Sequence, residues 1–400
     1  LSPPIGLPDS RSVGDGFSGK GFFVGAVALL AVVTFVALAL LWPSGDTEVQ
    51  LGVGPPGETE NGKIESIDSR QCLPPVEGTC TDAEVRITGG PEEGTLVPVE
   101  VSTGGPSPLF EPGDTVKVAK VSLPNAEPIY SIVDFERRAP MLWLAIAFVI
   151  LVVAFGRLRG ALSLVGLAAS LAIVLVFIVP AILDGSSPLL VALVGAMAVM
   201  LVTIALAHGL GPKSLAAILG TSVSLLLVGA LAALFTELTN LTGFSSEEAT
   251  MLAASGAELS LSGLLVAGIL IGALGVLDDV TISQSSTVMA LRAADPEQKF
   301  GALYRRAIDV GRDHVSATVN TLVLAYVGSS LPILLIFGSG ELGLIDATNL
   351  EVVAKEIVAT LVGSIGLIAA VPITTALAAW MADSLSDEEL QQAAEGGHHH

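Results

Sequence analysis

Long apolar runs separated by short polar ones fill most of this chain, and the runs are apolar on every helical face rather than on one stripe. About 20 such residues, rising 1.5 Å each, cross the hydrocarbon of a bilayer. Runs of that kind predict spans near 22–41, 139–156, 161–183, 188–208, 214–235, 261–278, 314–337 and 357–381. Residues 43–135 read differently. Gly62–Asp68, Ala83–Thr88, Gly94–Ser102 and Thr115–Val121 alternate Val and Ile with charge. Clusters such as Gly89-Gly90-Pro91 and Gly104-Gly105-Pro106 separate them, the pattern of short strands and turns. The expected fold class is therefore an α-helical polytopic membrane protein of about eight transmembrane helices. It carries a small extracytoplasmic β-barrel or sandwich domain after the first helix.

The first run follows Arg11 and Lys20, as a signal peptide would, and Ala37-Leu38-Ala39 loosely imitates a cleavage site. The apolar run continues past that point, so 22–41 reads as an uncleaved anchor behind a cytoplasmic segment 1–21. Basic residues then set the orientation. Arg157, Arg159, Lys213, Arg292, Lys299, Arg305, Arg306 and Arg312 fall in alternate short loops, whereas the opposite loops hold only Lys355. That asymmetry predicts cytoplasmic termini, a β domain outside the cell, and a bacterial inner-membrane location. The helical bundle is expected over 139–381. A cytoplasmic amphipathic helix over 295–312 has Asp295 as cap, Pro296 at its first position and Gln298 completing a capping-box-like pattern. It lies either on the membrane surface or against the bundle. Residues 382–400 form a tail ending in a Gly396–His400 tag.

Charge narrows the picture further. The chain has 39 acidic residues against 18 Lys and Arg, and residues 43–138 alone hold 17 acids against 7 bases. Such a domain favours solubility or cation accumulation and argues against a nucleic-acid partner. Outside the tag only His208 and His314 remain, which argues against a His-rich metal site. Cys72 and Cys80 are the two cysteines, and in an extracytoplasmic domain they are expected to form a disulfide.

The chemistry concentrates after 261–277, where Asp278, Asp279, Thr281, Ser283, Gln284, Ser285 and Ser286 follow an apolar run. A carboxylate facing lipid near the membrane centre costs at least about 2.5 kcal/mol. Two structures fit. A straight helix puts the acids at the inner rim in contact with water. A helix broken around Gly272–Gly275 brings free carbonyls and hydroxyls into the bundle, as in many ion sites. The following span adds Asp313, Ser316 and Asn320 near one face and His314, Thr318 and Thr321 on an adjoining one. Single hydroxyls there serve equally as glue between helices. Thr203, His208, Ser222 and Ser224 are weaker candidates for a polar path. Gly268 with Gly272, and Gly363 with Gly366, read as close-packing positions, and Pro180, Pro332 and Pro372 as kinks. No nucleophile elbow, zinc-binding HExxH pair or phosphate loop occurs, so the chain is not expected to be an enzyme or to require a cofactor beyond a bound cation.

The runs GALGVLDDVTISQSS (272–286), GRDHVSATVNTLVLAYVGSSLP (311–332), LVGSIGLIAAVPITT (361–375) and VDFERRAPMLWL (133–144) resemble the YibE/F-like bacterial membrane proteins. The resemblance runs from about 60 to 380, implies an N-terminal β domain with a C-terminal bundle, and supplies no defined activity. It places Asp279 ahead of Asp278, because the family pattern always supplies the second acid. Two functions follow as expectations. One is a transporter or permease for a small ion, cation or proton-coupled. Asp279 is then the central ligand and best metal candidate, Asp278, Thr281, Ser283, Gln284, Asn320 and Thr321 support it, and Asp313 with His314 form a gate or relay. The other is a non-transporting envelope scaffold acting through its β domain. The bilayer and a small ion are the expected partners, and a homo-oligomer is left open.

Overall fold

The computed structural model describes residues 19–45, 58–71, 79–103, 109–121, 128–254, 259–338 and 343–395. Helix α1 (Gly19–Leu40) comes first, then strands β1 (Glu58–Gln71), β2 (Thr79–Ile87), β3 (Leu96–Thr103), β4 (Thr115–Val121) and β5 (Ile129–Phe135). Helix α2 (Arg138–Ile173) continues through a π turn (Val174–Ile178) into α3 (Val179–Leu183). The remaining helices are α4 (Pro188–His208), α5 (Pro212–Leu238), α6 (Glu247–Ala254), α7 (Leu261–Ala294), α8 (Phe300–Ser329), α9 (Leu331–Gly338), α10 (Leu344–Thr348), α11 (Glu351–Asp383) and α12 (Asp387–Glu395). Two compact units result. Gln50–Arg157 forms one, and Leu1–Val49 with Leu158–His400 forms the other.

The smaller unit is an antiparallel sheet in the order β3-β2-β1-β4-β5. Long β1 pairs with β2 along one part of its length and β4 along another, with a register shift between Ile64 and Ser66. Its edge strands β3 and β5 approach one another, so the sheet curls towards a barrel. Ile64, Val85, Ile87, Val97, Val99, Val116 and Val118 fill the interior. Gly62 is required there, because a Cβ would lie 2.4 Å from Val85 Cγ1. Strand β5 was not among the expected strands. Its burial does not alternate cleanly, and it runs almost directly into α2. Cys72 lies outside the described residues, so the expected bridge to Cys80 on β2 stays a proposal.

Six helical stretches are long and apolar enough to cross a membrane among the described residues, or seven if α8 and α9, bent by 67°, count as one. One of the six, Arg138–Leu183, has 46 residues, and Arg157 inside it adopts φ 50° and ψ −132°, outside helical geometry. The π turn precedes Pro180, whose missing N–H removes a regular helical bond at that point. Helix α7 is one continuous rod of 34 residues, about 51 Å long at 1.5 Å per residue. No break occurs at Gly272–Gly275. Asp295 ends α7 rather than starting α8, whose cap residue is Lys299, so tertiary packing overrides the local capping pattern. Leu303 and Ala307 of α8 enter the bundle core.

Helix α1 docks on the far end of the chain. Phe22 and Phe23 stack against Trp380, with ring centroids 5.0 and 5.1 Å away, and Lys20 pairs with Glu389 of α12. At the other end of α1, Ser44 donates to Asp184.

The β unit predicts its own acid response. Arg138 holds the Glu136 carboxyl down at about 2, with Lys117 adding to it, and Lys120, then Tyr130, hold Glu92 below the usual carboxylate range. Lowered carboxyls contribute stability above the unfolded value, 4.5 for Glu136, and lose it as pH falls towards the folded one. Amide protection of residues 115–121 and 129–135, corrected for intrinsic exchange, should therefore hold above pH 4.5 and fall towards pH 2. Glu136→Gln should flatten that fall, and unchanged protection down to pH 2 in the parent chain would count against this account.

Candidate functional site at the middle of helix α7

Helix α7 packs against α4, α5, α8, α11 and α12. Its polar residues divide sharply by face. Thr281 is buried and shares a 2.6 Å hydroxyl contact with Thr221 of α5. Gln284 is buried and donates to Ala307 O of α8 at 2.9 Å and to Thr375 Oγ1 of α11 at 2.7 Å. Ser285 donates to Lys213 O at the start of α5, at 2.7 Å. Asp278 turns towards α4, where Thr203 Oγ1 meets its Oδ2 at 3.1 Å. Asp278 Oδ1 is buried and has no hydrogen-bond partner among the described residues. Asp279 and Ser283 lie on the exposed face.

These contacts place Asp278 within the bundle. Ser285 reaches the backbone where α5 begins, and Asp278 lies seven residues above it, about 10 Å along the helix. Its partner Thr203 sits five residues inside the end of α4. Of the two structures open to this run, the helix is the straight one, and it continues for 16 residues beyond Asp278. Of the two acids, Asp278 turns inward and Asp279 outward.

Asp313, His314, Asn320 and Thr321 are exposed on α8. Thr321 and Thr318 donate back to carbonyls of their own helix, and Arg312 pairs with Asp309. The α8 side turned towards α7 and α11 is built instead from Ile308, Val315 and Val319. The two polar runs are thus adjacent in the fold without forming one cluster. Sequence reasoning gave Thr203 little weight and missed Thr221 and Thr375. Hydroxyls in apolar helices are too common for any one to stand out until its partner is known. Among the described residues no group of three or more His, Cys, Asp or Glu side chains could hold a metal ion. Asp278 with Thr203 offers side-chain oxygens from two residues, a set suited to a proton or a passing cation rather than a caged one.

Glycines set how closely the helices approach. A Cβ at Gly220 would lie 2.1 Å from Thr374 Oγ1, and one at Gly366 2.1 Å from Val228 Cγ2. At Gly311 a Cβ would lie 2.6 Å from Val371 Cγ1 and 2.8 Å from Gln284 Oε1. The expected packing role therefore holds for Gly366. It fails for Gly268, which is exposed with nothing within 4 Å, while Gly272 meets only the Tyr326 hydroxyl at 3.6 Å.

Residues 144–384 match the family described as YibE/F-like protein. The chain belongs to the YibE/F-like family. The match starts within α2 and covers the bundle, leaving the β strands of this YibE/F-like protein outside it. No curated protein and no solved structure matches the chain. With its apolar helices, the family makes this a membrane protein.

The glycine contacts generate a paired prediction. Gly220→Ala should destabilise the solubilised protein by about 1–3 kcal/mol, the usual range for overpacking. Gly268→Ala should leave stability unchanged or raise it by about 0.5–1 kcal/mol through helix propensity. Thermal unfolding of both variants checks this, and equal effects would contradict the packing described.

Proposed function

We propose that this YibE/F-like protein moves a small cation, in the first instance a proton, across a bacterial cytoplasmic membrane, with Asp278 taking up and releasing the charge. The observation that carries this reading is the buried, unpartnered Oδ1 of Asp278. Among the described residues its other oxygen meets only the Thr203 hydroxyl, which also lies 2.9 Å from Val199 O and 3.2 Å from Met200 O. A hydroxyl has one proton and cannot serve all three acceptors. When that proton goes to Val199, the contact with Asp278 is satisfied only by a proton or cation on the carboxylate side. An uncompensated buried charge costs several kcal/mol, so the site favours neutralisation. Leu270, Leu274 and Leu277 are buried along α7 on the other side of Asp278. Transport therefore requires a rearrangement that opens this apolar stretch.

In this reading the break at Arg157 divides Arg138–Leu183 into two spans, and α8 with α9 makes one, giving eight in all. The basic residues Lys20, Lys213, Arg292 and Arg306 belong to the end of the bundle where α1 begins and α12 lies, which supports cytoplasmic termini and an extracytoplasmic β domain. The scaffold alternative draws on one observation. In the β unit a hollow of about 550 Å³ is walled by Glu60, Asn61, Lys117 and Arg138, and Glu60 Oε2 is buried without a partner. Deleting residues 45–135 separates the two readings, because a permease keeps its flux and a scaffold loses its phenotype.

In proteoliposomes with an internal pH dye, Asp278→Asn should cut proton flux by about 100-fold or more, as loss of a proton-transfer group does. Asp279→Asn should retain most of it. Wild-type flux in a folded Asp278→Asn variant sinks the assignment. Orientation has its own test, in a background where Cys72 and Cys80 are replaced by Ala. Glu111→Cys should react with a membrane-impermeant maleimide in intact cells, and Glu388→Cys only after permeabilisation. The reverse pattern would invert the topology.

A further inference from the structure

An apolar groove runs along the bundle between α1 and α4. Val24, Ala28 and Phe35 form one wall and Val202, Leu206 and Leu210 the other, around a space of about 530 Å³. All eleven residues that line it are Ala, Val, Leu or Phe. Val24 and Phe35 stand eleven positions apart, about 16 Å along α1. That is roughly half of the ~30 Å hydrocarbon core of a bilayer, the depth of one leaflet. The groove opens at the end of the bundle where Lys20 pairs with Glu389.

The turn at this end carries charge. Leu210 and Leu215 both belong to the groove, and Lys213 lies between them in the first turn of α5. Lys213 is partly buried, and its ammonium makes no hydrogen bond or ion pair among the described residues. The charge that acts on it is of its own sign, the Arg159 guanidinium of α2. His208, at the end of α4, lies within electrostatic range of both cations and of one acid, Asp279. Among the described residues no acid acts on Lys213. No side chain caps α5 at Gly211, so the positive end of that helix dipole falls at the same turn.

These two features together select the occupant. A helix as long as the groove and about 10 Å across fills about 1,300 Å³, more than twice the space present. A single hydrocarbon chain is narrower and suits walls without a polar side chain. A neutral lipid would leave Lys213 unmatched, whereas a partly buried cation gains most from a fixed counter-charge. Basic groups beside an apolar groove at a membrane face are the usual receptors of anionic head groups. We propose that groove and turn together bind one anionic phospholipid, an acyl chain lying between α1 and α4 and the phosphate seated at Lys213, with Arg159 adding to the positive field. This site does not rest on the transport reading, since lipid is bound whether or not Asp278 carries a proton.

The test uses the full chain in detergent, stripped of lipid, and native mass spectrometry. The protein is offered equal amounts of dioleoyl phosphatidylglycerol and dioleoyl phosphatidylcholine, which share their acyl chains. Phosphatidylglycerol should be retained about tenfold or more in preference. Lys213→Gln should lower that preference about fivefold, the weight of one basic residue at an anionic surface. Ala205→Phe, which fills the groove and keeps every charge, should cut the retention of phosphatidylglycerol by a similar factor. The proposal is overturned by equal retention of the two lipids, by wild-type preference in Lys213→Gln, or by unchanged retention in Ala205→Phe. Inorganic phosphate that displaces the lipid at equal concentration would mark a site for free anions and overturns it as well. Should one variant fail to fold, the other decides.

Discussion

A polar side chain carried into an apolar bundle costs several kcal/mol unless something there meets it, and α7 carries a run of them at its midpoint. The surrounding architecture answers that demand helix by helix. Thr281 draws α5 to it, Gln284 ties α8 and α11 together, and Ser285 takes a backbone carbonyl at the entrance to α5. Each bond is modest in net terms, on the order of 1 kcal/mol, but leaving its partner unmet is expensive. Helix register around α7 is therefore set by polar matching, and apolar packing fills in around it. Asp278 keeps one buried oxygen unanswered among the described residues, as does the Arg292 Nε farther along α7. An unmatched carboxylate oxygen at the midpoint of the helix on which the others pack is what gives Asp278 its functional weight.

Small residues make the matching geometrically feasible. Gly220, Gly311 and Gly366 let helices close on Thr374, Gln284 and Val228 respectively, at distances no side chain would allow. They sit on the partner helices rather than on α7. Of the four glycines of α7, Gly268 and Gly275 have nothing within 4 Å of where a Cβ would be, Gly272 meets the Tyr326 hydroxyl at 3.6 Å, and Gly263, in the first turn, lies against Pro188. A glycine pair in a sequence thus shows that close approach is permitted, and only the neighbouring helix decides whether it is used.

Much of the architecture was legible because its signals are long or strongly periodic. Apolar runs above the length of a span cannot easily be anything else, and four of the five strands announced themselves by alternation. Strand β5 did not, since it is a half-exposed edge that leads straight into α2. The polar run after Leu277 looked like the end of a span because unpaired polarity normally means water. It is interior because its partners come from residues 23 to 91 positions away along the chain. Adjacent residues on a helix differ by about 100° in direction, so the choice between Asp278 and Asp279 depends on where α4 lies. No local pattern contains that information. The same holds for Asp295, whose capping signal was sound but was overruled when α7 ran through to Ala294.

The contact between Lys20 and Glu389 joins residues 369 positions apart. Helix α1 is made first, yet the aromatic ring and the carboxylate that receive it, Trp380 and Glu389, are among the last described residues to emerge. Helix α1 can pack on α4 and α5 once these are made, but its N-terminal turn must wait for Trp380 and Glu389. Final docking of α1 then acts as a check on completeness. A chain cut short before residue 380 would keep the packing of α1 on α4 and α5 and lose the aromatic and ionic contacts at its N-terminal turn.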